Sequence, residues 1–264
     1  MHQQGRRYAD PTSILITGAS SGIGAALARA YAAPGLTLFL GGRDGDRLAS
    51  VVETCRRAGA ETYAQRQDVT DREAMASWIR ACDERRALDL VIANAGISAG
   101  TGGAGEADEQ IRRLFAVNLD GVLNTSLPAI ERMRPRRHGQ VALMSSLAAF
   151  RGYPGAPAYC ASKAAVRIWG EALRGWLARD GIGVCVICPG FIKTPMSAGN
   201  PYPMPFLMEA EKAADAIRRG LARNRARIAF PLPVYLFALA IQALPPAWTD
   251  RALAGLPGKP SDGA

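Results

Sequence analysis

The chain has 264 residues, 48% of them apolar, and a formal charge of +9. That is enough apolar material for one sizeable core, and neither a fixed-period repeat nor a Ser/Gly-rich linker divides it. One domain over 12–264 is therefore expected behind a polar lead at 1–11. The lead carries Arg6 and Arg7 but no apolar run, which argues against a secretory signal and for a cytoplasmic protein. The arginines are scattered without interleaved aromatics, which argues against nucleic-acid binding. Their densest groups, Arg132, Arg134, Arg136 and Arg137, then Arg218, Arg219, Arg223, Arg225 and Arg227, read as solvated helix ends. A phosphate-bearing ligand or an anionic membrane surface are the other uses of such charge. Five cysteines at irregular spacing do not make a disulfide framework. Cys185 and Cys188 form a CxxC, but inside the β-branched run 183–188, where residues three apart face opposite sides. Buried thiols fit that placement better than a redox or metal pair.

In chain order, short apolar runs alternate with helical patterns. A buried strand is expected at 13–16, then a glycine-rich turn and an Ala-rich helix at 23–33. Strands follow at 37–40, 62–67, 88–93, 140–144 and 183–188, with a last one at 226–230. Between them lie helices at 46–58, 71–85, about 108–133, 157–179 and 211–223. Strands apolar on both faces and alternating with helices form a parallel sheet covered on both sides. Right-handed crossovers then give an α/β, Rossmann-type doubly wound sheet in a single domain. Such sheets bind ligands beyond the carboxyl ends of their strands.

The chemistry-bearing motifs all fall at those ends. After the first strand comes Thr17-Gly18-Ala-Ser-Ser21-Gly22-Ile-Gly24, running straight into a helix. Gly18 permits a sharp turn, Gly22 a close backbone approach to a pyrophosphate, and Gly24 close packing of helix on strand. The helix N-terminus offers free N–H groups to phosphate. After the second strand stands Gly42-Arg43-Asp44, with no acidic residue at the position that would accept from a ribose hydroxyl. A guanidinium there suits a 2′-phosphate, so NADP is favoured over NAD, although Asp44 is adjacent. Further on, Tyr159 and Lys163 are four apart on one helix face. A free tyrosine has a pKa of about 10, and a neighbouring ammonium favours its phenolate.

The G-x-x-x-G-x-G spacing and the Tyr-x-x-x-Lys pair, with the motifs below, resemble the short-chain dehydrogenase/reductase family, in its shorter, non-extended branch. The resemblance covers roughly 13–195. It implies a nicotinamide-dependent oxidoreductase that interconverts an alcohol and a ketone or aldehyde. In that frame Asn118, Ser146, Tyr159 and Lys163 are the catalytic group. Ser146 is preferred to Ser145 because it precedes Tyr159 by the family's usual thirteen residues. It would polarise the carbonyl, Tyr159 would exchange the proton, and Lys163 with an Asn118-held water would refill it. Asn118 would also hold a helix irregularity. The cofactor would be held by Gly18, Ser20, Ser21, Gly22, Ile23, Gly24 and Arg43. Asp68 and Val69, Asn94, Ala95 and Gly96, Tyr159 and Lys163 would also hold it, as would Pro189, Gly190, Ile192 and Thr194. Relatives pair through their long helices, which implies a homodimer or homotetramer. The departures are small: Ala93 stands where a second Asn often precedes Asn94, and Cys160 takes a variable position.

Only His2 and His138 exist, so neither a Ser/His/Asp hydrolase nor a His-based metal site is expected. The rival reading is a catalytically idle dinucleotide-sensing or scaffold protein on the same fold. The segment 197–264 is expected to supply a substrate lid and an apolar tail. Residues 197–207 carry Pro201, Pro203 and Pro205 and suit a mobile lid. No charge occurs between Arg227 and Asp250, and the apolar stretch at 234–244 is too short to span a bilayer. It reads as a pocket wall or subunit contact, or as peripheral attachment of 228–249 to the inner face of a membrane. A pocket lined by both segments would take a bulky, apolar carbonyl compound.

Overall fold

The computed structural model describes residues 8, 11–255 and 259–261, so most of the expected lead lies outside it. Seven strands form one parallel sheet: β1 (Ser13–Thr17), β2 (Thr37–Gly42), β3 (Glu61–Arg66), β4 (Leu90–Ala93), β5 (Gln140–Met144), β6 (Gly183–Pro189) and β9 (Arg227–Phe230). Their spatial order is β3-β2-β1-β4-β5-β6-β9, so the winding reverses direction beside β1, as in a doubly wound sheet. The pleat divides each strand between two cores. Ile14, Ile16, Leu38, Leu40, Leu90 and Ile92 face helices α1 (Gly22–Tyr31), α2 (Gly45–Arg57) and α8 (Ala210–Ala222). Leu15, Phe39, Val91, Val141 and Val184 face α3 (Arg72–Arg85), α5 (Gly121–Arg136) and α6 (Pro157–Leu177). Burying each such side chain contributes about 1.5–3 kcal/mol. A one-residue slip would put every one of them on the wrong side.

The helix expected at 108–133 is not a single regular run. It is α4 (Asp108–Phe115), a wider π-type turn at Ala116–Asp120, and α5, which extends to Arg136. The extra residue in that turn carries Asn118 inward, which the 3.6-residue period does not foresee. The arginines near the end of α5 are not merely solvated. Arg136 and Arg132 clamp the buried Asp83 at 2.8 and 3.1 Å, and Arg134 pairs with Asp180 at 2.9 Å. Their charge is engaged within the fold rather than held for a phosphate.

Cys185 and Cys188 are buried on different sides of β6, and burial pushes both thiols up to about 12. Beyond β6 come the short parallel pair β7 (Ile192–Lys193) and β8 (Met208–Glu209), with α7 (Pro195–Ala198) between them. The apolar tail folds as α9 (Leu232–Ala243) and a further helix, α10 (Pro246–Ala254). No described helix is long and apolar enough to cross a membrane.

Candidate active site

The first turn is built around backbone that only glycine adopts easily. Gly18 and Gly22 have φ of +67° and +53°. At Gly24 an added Cβ would meet Asn94 Nδ2 at 2.6 Å. Asn94 ties the ends of β1 and β4 together, donating from its amide to the carbonyls of Thr17 (2.9 Å) and Gly18 (3.2 Å). The Thr17 hydroxyl accepts from the backbone N–H of Asn94 and Ala95 at 3.1 and 3.2 Å. The cradle therefore keeps its shape through side chains as well as glycines. Ser20, Ser21, Gly22 and Ile23 line the cavity that opens from it.

At the end of β2, Gly42 lies against Ser20, whose Cβ and Oγ an added Cβ would meet at 3.1 Å. Asp44 is occupied: its carboxylate caps α2, accepting from Arg47 N–H at 3.0 Å, and pairs with the Arg47 guanidinium at 3.0 Å. Arg43 is exposed on the same cavity wall, with no ion-pair partner among the described residues. Asp68 accepts from the Thr70 backbone N–H (2.9 Å) and hydroxyl (2.8 Å), which hold its carboxyl below the usual range against some burial. Val69 packs on Gly121, where an added Cβ would meet it at 2.6 Å.

Tyr159 stands in the first turn of α6, whose start is set by Pro157 and by Glu106, which accepts from Ala158 N–H at 3.0 Å. Lys163, one turn on, is buried and donates to the Met144 carbonyl at 3.1 Å. Burial pushes its ammonium down to about 8. The Ser145 hydroxyl is spent on the Lys163 carbonyl at 2.7 Å, whereas Ser146 and Ser98 lie close enough to the Tyr159 phenol to act on its ionisation. That distinction separates the two adjacent serines. Without cofactor, burial pushes the phenol up, and the two serines oppose it. Lys163 lies 6.0 Å from the ring centroid, and its ammonium does not overcome that burial.

Asn118 is fully buried. Its Oδ1 accepts from Ile97 N–H at 2.8 Å, and its Nδ2 donates to the Ile97 carbonyl (3.0 Å) and Ser162 Oγ (3.2 Å). A Cβ added to Gly96 would touch both Asn118 Oδ1 (3.1 Å) and Lys163 Nζ (3.2 Å), so these two groups lie side by side. Pro189, Gly190, Ile192 and Thr194 form the opposite wall. Thr194 caps α7 reciprocally with Ser197, and its methyl would be 3.0 Å from a Cβ on Gly22. All these elements surround one cavity of about 1070 Å³. Phe206, Val234, Phe237, Ala238 and Ile241 extend it with apolar surface. His138 lies elsewhere, 3.3 Å from Asp89. Thr17, Ser98, Glu106 and Lys259 also shape the site and escape sequence reasoning, because each is a common residue in a loop or at a strand end.

A glycine cradle at the switch point of a parallel sheet, next to a partly buried tyrosine and a buried lysine, defines a nicotinamide-dependent oxidoreductase. The glycines leave the space a dinucleotide needs, so this chain's residues fit the cofactor. Comparison with known proteins agrees. The short chain dehydrogenase family model matches residues 12–202. An uncharacterized oxidoreductase of Myxococcus xanthus is 37% identical over 239 residues, covering 90% of this chain and 94% of that protein. A short-chain dehydrogenase of Sphingobium yanoikuyae, solved with NADPH, superposes with a TM-score of 0.78 at 26% identity, over 95% of this chain and 98% of that one. A short chain dehydrogenase of Mycobacterium paratuberculosis, solved with NAD, has the same fold, with a TM-score of 0.78 at 24% identity over 87% and 99%. The chain belongs to the short-chain dehydrogenase/reductase family.

Proposed function

We propose that the protein is an NADP(H)-dependent oxidoreductase interconverting an alcohol and a ketone or aldehyde of a bulky, apolar substrate, with Tyr159 as the acid/base. One observation carries the reading: the partly buried Tyr159 stands beside the buried Lys163, with Ser146 and Ser98 close to its phenol, in the cavity that holds the glycine cradle. The nicotinamide, when bound, supplies or receives the hydride. The chain's residues handle the proton. Ser146 donates to the substrate oxygen, Tyr159 gives it a proton as negative charge develops, and Lys163 favours the phenolate left behind. Asn118 holds the 97 loop against Lys163 and keeps the group in register. Turnover of a carbonyl panel, followed by NADPH absorbance, tests this. Cofactor binding without turnover on any compound would instead indicate an idle sensor.

Solved relatives carry either NADPH or NAD, so the choice rests on this chain's own residues. Asp44 is committed to Arg47, and Arg43 is left to meet a 2′-phosphate. Losing one charge-assisted contact of about 1.5–3 kcal/mol, Arg43→Ala should lower kcat/KM for NADPH about 10- to 100-fold and leave NADH nearly unchanged. Equal losses with both cofactors would refute the NADP assignment.

The apolar tail is read as a pocket wall, because Val234, Phe237, Ala238 and Ile241 line the cavity. A second reading is favoured by what remains outside. Leu232, Leu236 and Trp248 are more than half exposed on a chain of charge +9, which suits peripheral contact with an anionic bilayer through 228–249. Flotation with anionic liposomes decides between them: protein that stays at the bottom of the gradient leaves the tail as a wall alone. Leu127 on α5 and Ile168 and Trp176 on α6 are also exposed and support pairing of copies into a homodimer or homotetramer.

A further inference from the structure

The last described segment, 259–261, folds back into the site. Gly100 N–H donates to the Pro260 carbonyl (2.7 Å), Gly102 N–H to the Lys259 carbonyl (2.9 Å), and Lys259 N–H to the Gly155 carbonyl (3.3 Å). Gly100 leaves room for this seat, since an added Cβ would meet Lys259 Cβ at 2.5 Å. The Lys259 side chain enters the cavity, where its Nζ lies 4.8 Å from the Tyr159 ring centroid and contacts Ser98 Oγ. Ser98 also lies close to the Tyr159 phenol and favours its ionised form. No carboxylate among the described residues pairs with Lys259.

A serine hydroxyl has one proton to give. With its oxygen accepting from an ammonium, Ser98 is left to donate that proton to the phenol oxygen. We infer that Lys259 is a positioning residue for Tyr159: its ammonium donates to Ser98, Ser98 donates to the phenolate, and the 259–261 segment thereby adds a second positive charge to the acid/base. The inference rests on the acid/base reading of Tyr159. Burial pushes the Lys259 ammonium down to about 8, the Cys160 thiol partly opposing it. A phenolate formed beside Ser98 supplies the counter-charge the lysine lacks. The other titratable groups facing the phenol are Lys163 and Cys160 from α6, Tyr153 before it, and Tyr202 from the loop between β7 and β8. None of them belongs to the tail; Lys259 also pushes the Lys163 ammonium down, so removing it takes one charge away directly and lets Lys163 hold its own more firmly.

The test is an NMR titration of Tyr159 in the full chain saturated with NADP⁺. Selectively carbon-labelled tyrosine is used, and the Tyr159 signal is assigned by its absence in Tyr159→Phe. Lys259→Met should raise the ionisation midpoint by about half to one pH unit, and Ser98→Ala by a similar amount. The double variant should add little, because both act along one path. Lys259→Arg should restore most of the shift. An unchanged midpoint in Lys259→Met, or full additivity in the double variant, would overturn the inference. This readout does not depend on turnover, so it fails separately from the acid/base reading, which falls only if Tyr159→Phe keeps its activity.

Discussion

Tyr159→Phe is expected to lower kcat for carbonyl reduction by about 10²- to 10⁴-fold, the usual contribution of a positioned acid/base. One oxygen is removed and the ring is kept, so the cavity wall and the start of α6 should stand. NADPH binding, followed by fluorescence titration, should stay within about threefold, because the cradle residues at Gly18, Gly22 and Asn94 are untouched. A fall in kcat and kcat/KM together is the mark of an interaction made in the transition state. The buried setting sharpens the prediction. The phenol is pushed up by burial, so it is protonated at neutral pH without cofactor and ready to act as an acid in reduction. The oxidation direction needs the phenolate and should gain with rising pH until the phenol is fully ionised. Retention of most turnover in the variant would move the acid/base role away from Tyr159.

Asn118→Ala should damage both stability and chemistry. Three hydrogen bonds end on this fully buried amide, two of them to the backbone of Ile97. Alanine leaves that part-buried N–H and carbonyl without this partner, at up to about 1–3 kcal/mol each where water does not replace it. For a chain of this size that corresponds to a fall in Tm of roughly 5–15 °C by calorimetry. Activity should fall further than unfolding explains when assayed well below the new midpoint, because the 97 loop also carries Ser98 toward Tyr159 and packs beside Lys163. Asn118→Asp keeps the acceptor for Ile97 N–H but loses both donations, so it should lie between the parent and alanine in stability. A variant with the parent's melting temperature would show that the π-type turn does not depend on this amide.

Much of the site was legible because it is built from short-range rules. Gly18 and Gly22 are spaced for a strand-to-helix turn, and their positive φ is the conformation that glycine alone takes cheaply. Tyr159 and Lys163 are one turn apart on any helix. The expectation of a lowered phenol pKa was less secure, because the sequence does not record how dry the pocket is. Burial, a property of the whole packed cavity, outweighs the nearby ammonium. The irregularity that the resemblance implied at Asn118 is a wide turn that the hydrophobic period does not show: the deviation at Ala116–Asp120 accompanies a side-chain bond to a loop twenty-one residues away.

By itself the amino-acid order determined the parallel sheet, its two-sided cores and the dinucleotide turn, since each follows from hydrophobic period or from glycine stereochemistry within a few residues, while the reading of Tyr159 and Lys163 as a catalytic pair came from the family resemblance. Only the tertiary structure decided that Ser145 is spent on the Lys163 carbonyl, that Asp44 is spent on α2, and that α10 and the 259–261 segment reach the cavity. Lys259 reaches Ser98 across 161 positions. A contact of that span depends on how the folded backbone returns to the site, and no local pattern encodes it.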